Sequence, residues 1–323
     1  MQTTREKKQN YNTKFINAII SDLFFSKNLL EKVQLKINPF YSLIEKKLKE
    51  KLSLIKDQRC LGYINIQIKK NEEDFNFISR HREQGNLKAR LLKNYDKNDE
   101  LIIINTAGGL TSGDTNINSI VVSDNIRLNI TTQSMEKVYK CKDYSANAYS
   151  NIIVGANSYV SWIPLETIFF NGGNLRRRIN IELEASSNFL GIETIIFGRQ
   201  AMGEIIKKGS LNDAWQIFRE DKLVYSDFNE LNGNINYKIS NKIIMNGNNI
   251  FCNVIFSGKK IKAYSRKILS YINKNKYFAG TSIVNGVMII KVLSKDINEI
   301  RIFLSNLLDI LDNNFNLPKI WSF

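Results

Sequence analysis

From Leu61 onward, short runs of alternating apolar and polar residues recur roughly every 10–15 residues, and this density of strand signals constrains the fold most. Tyr63, Ile64, Ile66 and Ile68 approach the period of two that marks a half-buried strand. Phe75–Arg80 gives another, leading to a turn at Gly85-Asn86. Ile126, Leu128 and Ile130 alternate with polar neighbours, as do Ile179, Ile181 and Leu183. Asn151–Trp162, Phe189–Phe197, Lys222–Tyr225, Ile235–Ile239 and Ile250–Phe256 read as strands in the same way. Almost no helical period separates them, so the expected body is all-β. No fixed sequence repeat is visible, which excludes propellers and regular solenoids. One helix is expected near the end. Asp296 opens D-I-N-E, a capping box closed by Glu299, and Ile300, Phe303, Leu304, Leu307, Leu308 and Leu311 follow on one face.

The stretch Leu101–Thr115, LIIINTAGGLTSGDT, runs from a buried strand into three glycines, Gly108, Gly109 and Gly113, and then Asp114. Glycines so close together imply positive φ or an approach too near for a Cβ. Gly108 and Gly113 have Walker A spacing, but the residue that should hold phosphate is Asp114 and not lysine. The alternative is a tight structural turn between two strands.

At 323 residues the chain is one large domain or two ordinary ones. Residues 1–57 are rich in Lys and Asn and poor in Gly, and read as an extension to a β-rich domain over residues 58–323. Within it Ile44, Leu48, Leu52 and Ile55 predict a short amphipathic helix over Tyr41–Ile55. The net charge of +15 permits contact with nucleic acid, an anionic membrane or an acidic protein. Lysines are spread along every segment, and Asn and Ile are abundant too, as an AT-rich genome would produce. The charge therefore reads as solubility plus an acidic partner. Cys60, Cys141 and Cys252 stand far apart and odd in number, which fits a reducing, cytoplasmic compartment. No signal peptide is expected, because Asp22 interrupts FINAIISDLFF, and no run of apolar residues is long enough to span a membrane.

Catalytic chemistry is hard to place. A Ser-His-Asp or Cys-His set needs a histidine, and the only one, His81, lies in an arginine-rich segment and reads as a surface residue. There is no G-x-S-x-G elbow and no Cys/His cluster for zinc. The carboxylates Asp114, Asp143, Glu166, Glu193 and Glu204 fall near glycine turns or strand ends, where they can form an acid pair or be solvated or salt-bridged. No stacking platform for bases stands out.

Five blocks together resemble the UreD family of urease accessory proteins (UreH in some organisms). The loop NTAGGLTSGDT is similar to that family's N-x-x-G-G-x-x-x-G-D segment, with Gly108, Gly109, Gly113 and Asp114 in place. ITTQSMEKVYK resembles its T-T-Q/P-x-x-x-K-x-Y/F block through Thr131, Thr132, Lys137 and Tyr139. WIPLETIFF, with Trp162, Pro164 and Glu166, is similar to its W-x-P-x-E-T-I-x-F strand. GRQAMGE carries Arg199, Gly203 and Glu204, and LPKIW carries Pro318 and Trp321. Ser112, Lys319 and Asn86 depart from the family pattern at a small residue, an arginine and a proline respectively.

The resemblance implies a non-repetitive, β-helix-like stack of strands with a few α-helices. It implies a non-catalytic chaperone with no tightly bound cofactor, acting with UreF-like and UreG-like proteins on the urease structural subunits. Nickel would pass transiently along it, without nucleic acid or membrane. Glu166 and Glu204 are the expected metal-facing residues, since carboxylates hold Ni²⁺ weakly enough to release it. Arg199 pairing with either of them is the structural alternative. Two other classes stay open: a basic nucleic-acid-binding β protein, and a β-helix polysaccharide-processing enzyme with scattered Asp and Lys.

Overall fold

The computed structural model describes residues 60–94, 98–199, 202–311 and 315–321. The expected helix over Tyr41–Ile55 lies outside the described residues. The chain forms β1 (Leu61–Lys70), β2 (Asn76–Gln84), β3 (Leu87–Leu92), β4 (Asp99–Asn105), β5 (Thr115–Val122), β6 (Arg127–Thr132), β7 (Glu136–Val138), β8 (Ala146–Val154), β9 (Tyr159–Trp162), β10 (Thr167–Phe169), β11 (Asn174–Leu183), β12 (Asn188–Phe197), β13 (Gly209–Arg219) and β14 (Lys222–Gly233). It closes with α1 (Ile235–Ser240), β15 (Ile250–Ser257), α2 (Ile261–Asn275), β16 (Ala279–Val284), β17 (Val287–Ser294) and α3 (Ile297–Ile310).

Two sheets face each other. The first runs β14-β13-β11-β8-β5-β1-β2 and the second β16-β17-β15-β12-β9-β6-β4-β3. From β4 to β13 the chain crosses back and forth between them, the short β7 and β10 pairing with each other and, through β12, with the second sheet, and the inner strands of each sheet pair in parallel. The result is a flattened, irregular solenoid of about four coils, the non-repetitive β-helix-like stack that the resemblance implied. Stacked side chains are 32, 29 and 36 residues apart in sequence, so no fixed period exists to be found. Antiparallel pairs flank the parallel stack, β1–β2 and β3–β4 on one side and β13–β14 and β15–β17–β16 on the other, as terminal repeats do in other stacked folds.

In-register pairing sorts residues into layers. On the inner face of the first sheet Ile120, Ile152, Ile181 and Ile217 fall at one level, and all are buried. On the second sheet Leu101, Ile130, Trp162 and Gly191 share a level. Gly191 lacks a side chain for a steric reason: a Cβ there would lie 2.7 Å from the Trp215 indole facing it.

A second apolar layer lies on the outer face of β12, β15 and β17, under α2 and α3. Helix α3 buries Ile300, Phe303, Leu304, Leu307 and Leu308, the face expected from spacing, at roughly 1.5–3 kcal/mol per side chain before entropy. Asp296 caps it through Asn298 N at 2.9 Å. The capping box does not close: Glu299 accepts from the Ser294 hydroxyl, which also takes the Asp296 N–H.

Three further expectations are corrected. Asn151–Trp162 is two strands, β8 and β9, because Gly155 has no room for a Cβ beside Asp124 and Asn157 takes a left-handed φ of 56°. Ile235–Ile239 is helical: Asn234 Oδ1 accepts from Tyr237 N and caps α1, which buries Ile235. Helix α2 was not anticipated. It begins at Lys260 in a left-handed conformation without a side-chain cap, yet Tyr264, Ile268 and Ile272 repeat on one buried face.

Gly191→Ala is expected to destabilise the protein by about 1–3 kcal/mol in chemical denaturation. The cost should be smaller in a Trp215→Phe background, where the ring that meets the new methyl is shorter.

Candidate functional site

The layers turn polar toward one side of the coils, two residues along each strand at a time. Moving along the inner face of the first sheet from the isoleucine level, the next aligned sets are Asn118, Ser150, Ile179 and Trp215, and then Asn116, Ala148, Arg177 and Asp213. The second sheet follows suit, with Thr132 beyond Ile130 and Glu193 beyond Gly191. Between these layers lies a cavity of about 90 Å³, with Glu136, Glu193, Arg177 and Asn105 in its wall and Gly108 and Gly109 at its rim.

Arg177 is the cation at the centre. Its Nε and Nη2 form a two-bonded fork on Asp213, both at 2.9 Å, and its Nη1 reaches Glu193. Glu193 also accepts from Trp162 Nε1 at 2.8 Å. One guanidinium thus faces two buried acids. Burial pushes the Glu193 carboxyl up to about 7, since Asp213 already holds the better share of Arg177 and repels a second charge. The same acids raise the Arg177 pKa further above its ordinary value, against the cost of burial.

Glu136 is half-buried at the cavity wall. Asn105 Nδ2 donates to both its oxygens, at 3.2 and 3.0 Å, and the Lys137 N–H donates at 3.2 Å. Burial nevertheless holds its carboxyl above the usual range. Past Glu193 the polar seam continues across the second sheet to Asn253 and Lys291, which share one register row. Lys291 Nζ contacts Asp227 at 2.9 Å and Asn229 at 3.1 Å, and its side chain is 40% exposed, so this end of the seam reaches solvent.

The glycine loop is a corner from the second sheet to the first, the tight turn that was one of the two readings of its spacing. Gly108, Gly109 and Gly113 all have positive φ. Asp114 is buried and faces backbone: Oδ1 accepts from Cys60 N and Oδ2 from Thr111 N. It closes the turn as an internal cap. Gly109 is pressed so closely on Lys137 and Tyr139 that a Cβ would sit 2.5 Å from the Tyr139 ring.

The five motif blocks touch one another here. Leu110 N donates to Lys137 O at 2.7 Å, and Tyr139 packs edge-on against Phe170 at 5.1 Å. The Arg199 guanidinium lies 4.7 Å over the same Phe170. Trp321 Nε1 donates to Ile163 O at 3.2 Å, while Pro318 offers its carbonyl to Trp321 N. Thr132 Oγ1 accepts from Leu165 N, and Thr131 is fully buried. Pro164 lines the cavity, and Gly203 supplies a left-handed turn with open space around it. Lys137 is exposed.

Glu166 and Glu204 are not brought together, and each meets its own arginine. Glu166 is fully buried under α3, with Oε1 2.9 Å from Arg301 Nε and Oε2 without a hydrogen-bond partner. Glu204 pairs with Arg199 at 2.9 Å and accepts from Asn171 N and Arg199 N. Partial burial opposes the charge on Glu204, but those donors outweigh it and hold its carboxyl below the usual range. Of the two pairings open to Arg199, the structure has the one with Glu204.

Among the described residues no three His, Cys, Asp or Glu side chains converge to hold a metal ion, and no helix is long and apolar enough to cross a membrane. His81 sits on the surface beside Glu83 at 2.7 Å. The three cysteines form no disulfide, and burial pushes the Cys252 thiol up to about 12. Asn86, where the family pattern has proline, donates to Asn105 and Asn116 and so braces the cavity rim. Ser112 is absent from the positive-φ positions and ties Tyr144 to the loop through its hydroxyl. Lys319 contributes its backbone N–H to Glu100, a bond that does not need arginine.

Sequence reasoning had named Glu193 among scattered acids but missed Glu136, Arg177, Asp213 and Asp227. The available signal was in R-R-R-I-N-I: a charge at an inward position of a strand otherwise apolar on that face.

A family model described as UreD urease accessory protein matches residues 61–322. A protein named Urease accessory protein UreD from Rhizobium rhizogenes is 31% identical over 240 residues, covering 74% of this chain and 87% of the relative. A Rhizobium johnstonii protein of the same name is 32% identical over the same shares. One from Agrobacterium fabrum is 30% identical over 268 residues, 83% of this chain and 93% of the relative.

The seam also predicts a pH dependence. Between about 4.5 and about 7 the folded state keeps a proton on Glu193 that the unfolded chain has released. Stability should therefore fall as pH rises through that window, by at most about 3 kcal/mol. Glu204, shifted downward, contributes only below the ordinary carboxylate range and does not mask it. Denaturation midpoints measured from pH 4.5 to pH 7 should show the slope in the wild type and a flatter profile in Glu193→Gln.

Proposed function

The chain belongs to the UreD family of urease accessory proteins and has a role in urease maturation, and on that premise we propose that it is a non-catalytic chaperone of nickel insertion. In this reading it binds apo-urease together with UreF-like and UreG-like accessory proteins in the cytoplasm, and nickel is cargo that it passes on. GTP hydrolysis belongs to a partner.

The observation that carries the reading is the polar seam. A two-sheet solenoid gains stability by filling its interior with aliphatic layers, and this one does so except at the levels of Arg177, Glu193 and Glu136. Burying charge that serves only packing costs stability. Carboxylate and amide oxygens are hard, weak donors for Ni²⁺, so a seam lined with them lets an ion enter and leave where a closed His/Cys site would trap it. Asn105 and Glu136 stand at the glycine-loop end, and Asp227 and Lys291 at the other. A carboxyl with a pKa near 7 can exchange its proton for a cation at little cost, which suits Glu193 to the middle of such a route.

Glu166 and Glu204, the acids expected from the resemblance, lie off this line, each held by an arginine. The proposal therefore assigns the ion to Glu136 and Glu193 first.

Co-expression with urease and its other accessory proteins tests the reading, with complex yield and urease nickel content measured on the same samples. Glu136→Gln is expected to leave yield intact and lower nickel per urease; Glu193→Gln, which weakens one buried contact of Arg177 but leaves its fork on Asp213 in place, is expected to lower nickel by more than it lowers yield. Glu166→Gln should lower both together, because weakening a buried pair destabilises the fold by about 3–5 kcal/mol. Glu204→Gln, at a partly exposed pair worth roughly 0–1 kcal/mol, should change yield little. If nickel falls only in proportion to yield at Glu136 and Glu193, the seam is structural and not a route.

A further inference from the structure

Strand β16 is the end strand of its sheet and, among the described residues, pairs only with β17. Its sequence, AGTSIV, carries no charge. The other end strands do: β2 has Arg80, Arg82 and Glu83, β3 has Lys88 and Arg90, β7 has Glu136 and Lys137, and β14 has Lys222, Asp227 and Glu230. Charges on an edge discourage another strand from adding to it, and β16 lacks that guard.

The edge is also well formed. Asn285 and Gly286, with φ of 47° and 76°, make a two-residue turn of the kind that fixes hairpin register. Val284 and Val287 then form a hydrogen-bonded pair, and the antiparallel alternation turns the N–H and C=O of Thr281 and Ile283 outward. Ile283 and Val284 are exposed, as is Phe278 just before the strand.

Helix α2 leads directly into β16 and packs against it. Every charged side chain from Lys259 to Lys276 is basic and exposed, including Lys262, Arg266, Lys267 and Lys274. No acid lies in that stretch. A cationic ridge therefore runs beside an uncharged, open strand edge.

We propose that this surface receives an acidic, extended segment of a partner protein, which adds as a strand beside β16 and lays its carboxylates along α2. Charge decides between occupants. A second copy of this chain would bring an identical cationic ridge into the contact and be repelled. An anionic membrane would draw on the lysines, but the apolar face of α2 is turned inward, where Tyr264, Ile268 and Ile272 are buried. Nucleic acid would use the ridge and leave the alternating donors and acceptors of β16 unanswered. Only a polypeptide strand with acidic side chains satisfies both features. The inference concerns a surface separate from the polar seam and holds whether or not nickel travels there.

The test uses the full chain, purified as the complex in which it is stable. A fluorescent peptide of alternating valine and glutamate is titrated by anisotropy, against a valine–lysine peptide, phosphatidylserine vesicles and an RNA oligonucleotide. The valine–glutamate peptide is expected to bind, and hydrogen exchange at Thr281 and Ile283 to slow when it does. Ile283→Pro removes one outward donor at an edge that tolerates proline, and should weaken binding roughly tenfold or more. Methylating alternate amide nitrogens of the peptide should do the same with the protein unaltered. Lys267→Gln with Lys274→Gln should weaken binding and flatten its salt dependence. No binding, or binding indifferent to Ile283→Pro and to methylation, overturns strand addition. Displacement of the peptide by vesicles or RNA at lower concentration overturns the choice of a protein partner.

Discussion

In-register pairing of parallel strands is the constraint on which this fold depends. Parallel neighbours related by one coil place residues of the same inward parity at one level, so like residues can stack there, as Ile120, Ile152, Ile181 and Ile217 do. Where the level holds isoleucine the two sheets pack dry. Where it holds polar residues, these pair along the stack, Asn118 with Ser150 at 3.1 Å and Arg177 with Asp213, and on the opposite face of the sheet Asn180 pairs with Asn151 at 2.6 Å. Buried polar groups cost stability unless partnered, and for these pairs the register supplies the partner a coil away.

The Arg177 cluster shows what that arrangement can and cannot neutralise. Asp213 is its register neighbour and takes a two-bonded fork, the strong geometry for guanidinium and carboxylate. Glu193 comes from the opposite sheet and receives one nitrogen and an indole N–H. Two acids compete for one cation in a place from which water is mostly excluded, and the less favoured acid keeps its proton up to about pH 7. Replacing all three by aliphatic residues would continue the layer above, and a buried ion cluster of this kind is a weak source of stability beside such a layer.

Strand positions and the face of α3 were legible because they are local, encoded in periods of two and 3.6. The misreadings are local too: Gly155 breaks a run that otherwise alternates, and an asparagine cap turns Ile235–Ile239 into a helix turn. The face of α2 was present at Tyr264, Ile268 and Ile272 but diluted by lysines. The seam was not legible in the same way. Glu136, Arg177, Glu193 and Asp213 are ordinary residues in their own strands, and only the register, with coils of unequal length, brings them together. Resemblance to a family identified the blocks, but those blocks report corners and not the acids between them.

The glycine loop joins these two levels of description. A strand, a glycine turn and an acid suggested a phosphate cradle, yet Asp114 turns its carboxylate onto Cys60 and Thr111 backbone and ties the loop to the start of the β body. What glycine permits here is closeness. Gly109 lets the corner settle onto Lys137 and Tyr139, the next corner in the stack, and that contact sets how far apart the sheets stand at this end. Because Gly108 and Gly109 have no side chains, the same corner leaves the cavity beside Glu136 unfilled at its rim. A Cβ at Gly109 would meet the Tyr139 ring and Lys137 and force the next corner to shift, whereas one at Gly108 would meet nothing within 4 Å and be opposed only by its positive φ. The two glycines therefore do different things in one corner: Gly109 permits the close approach that stacks the coils, and Gly108 permits the turn itself.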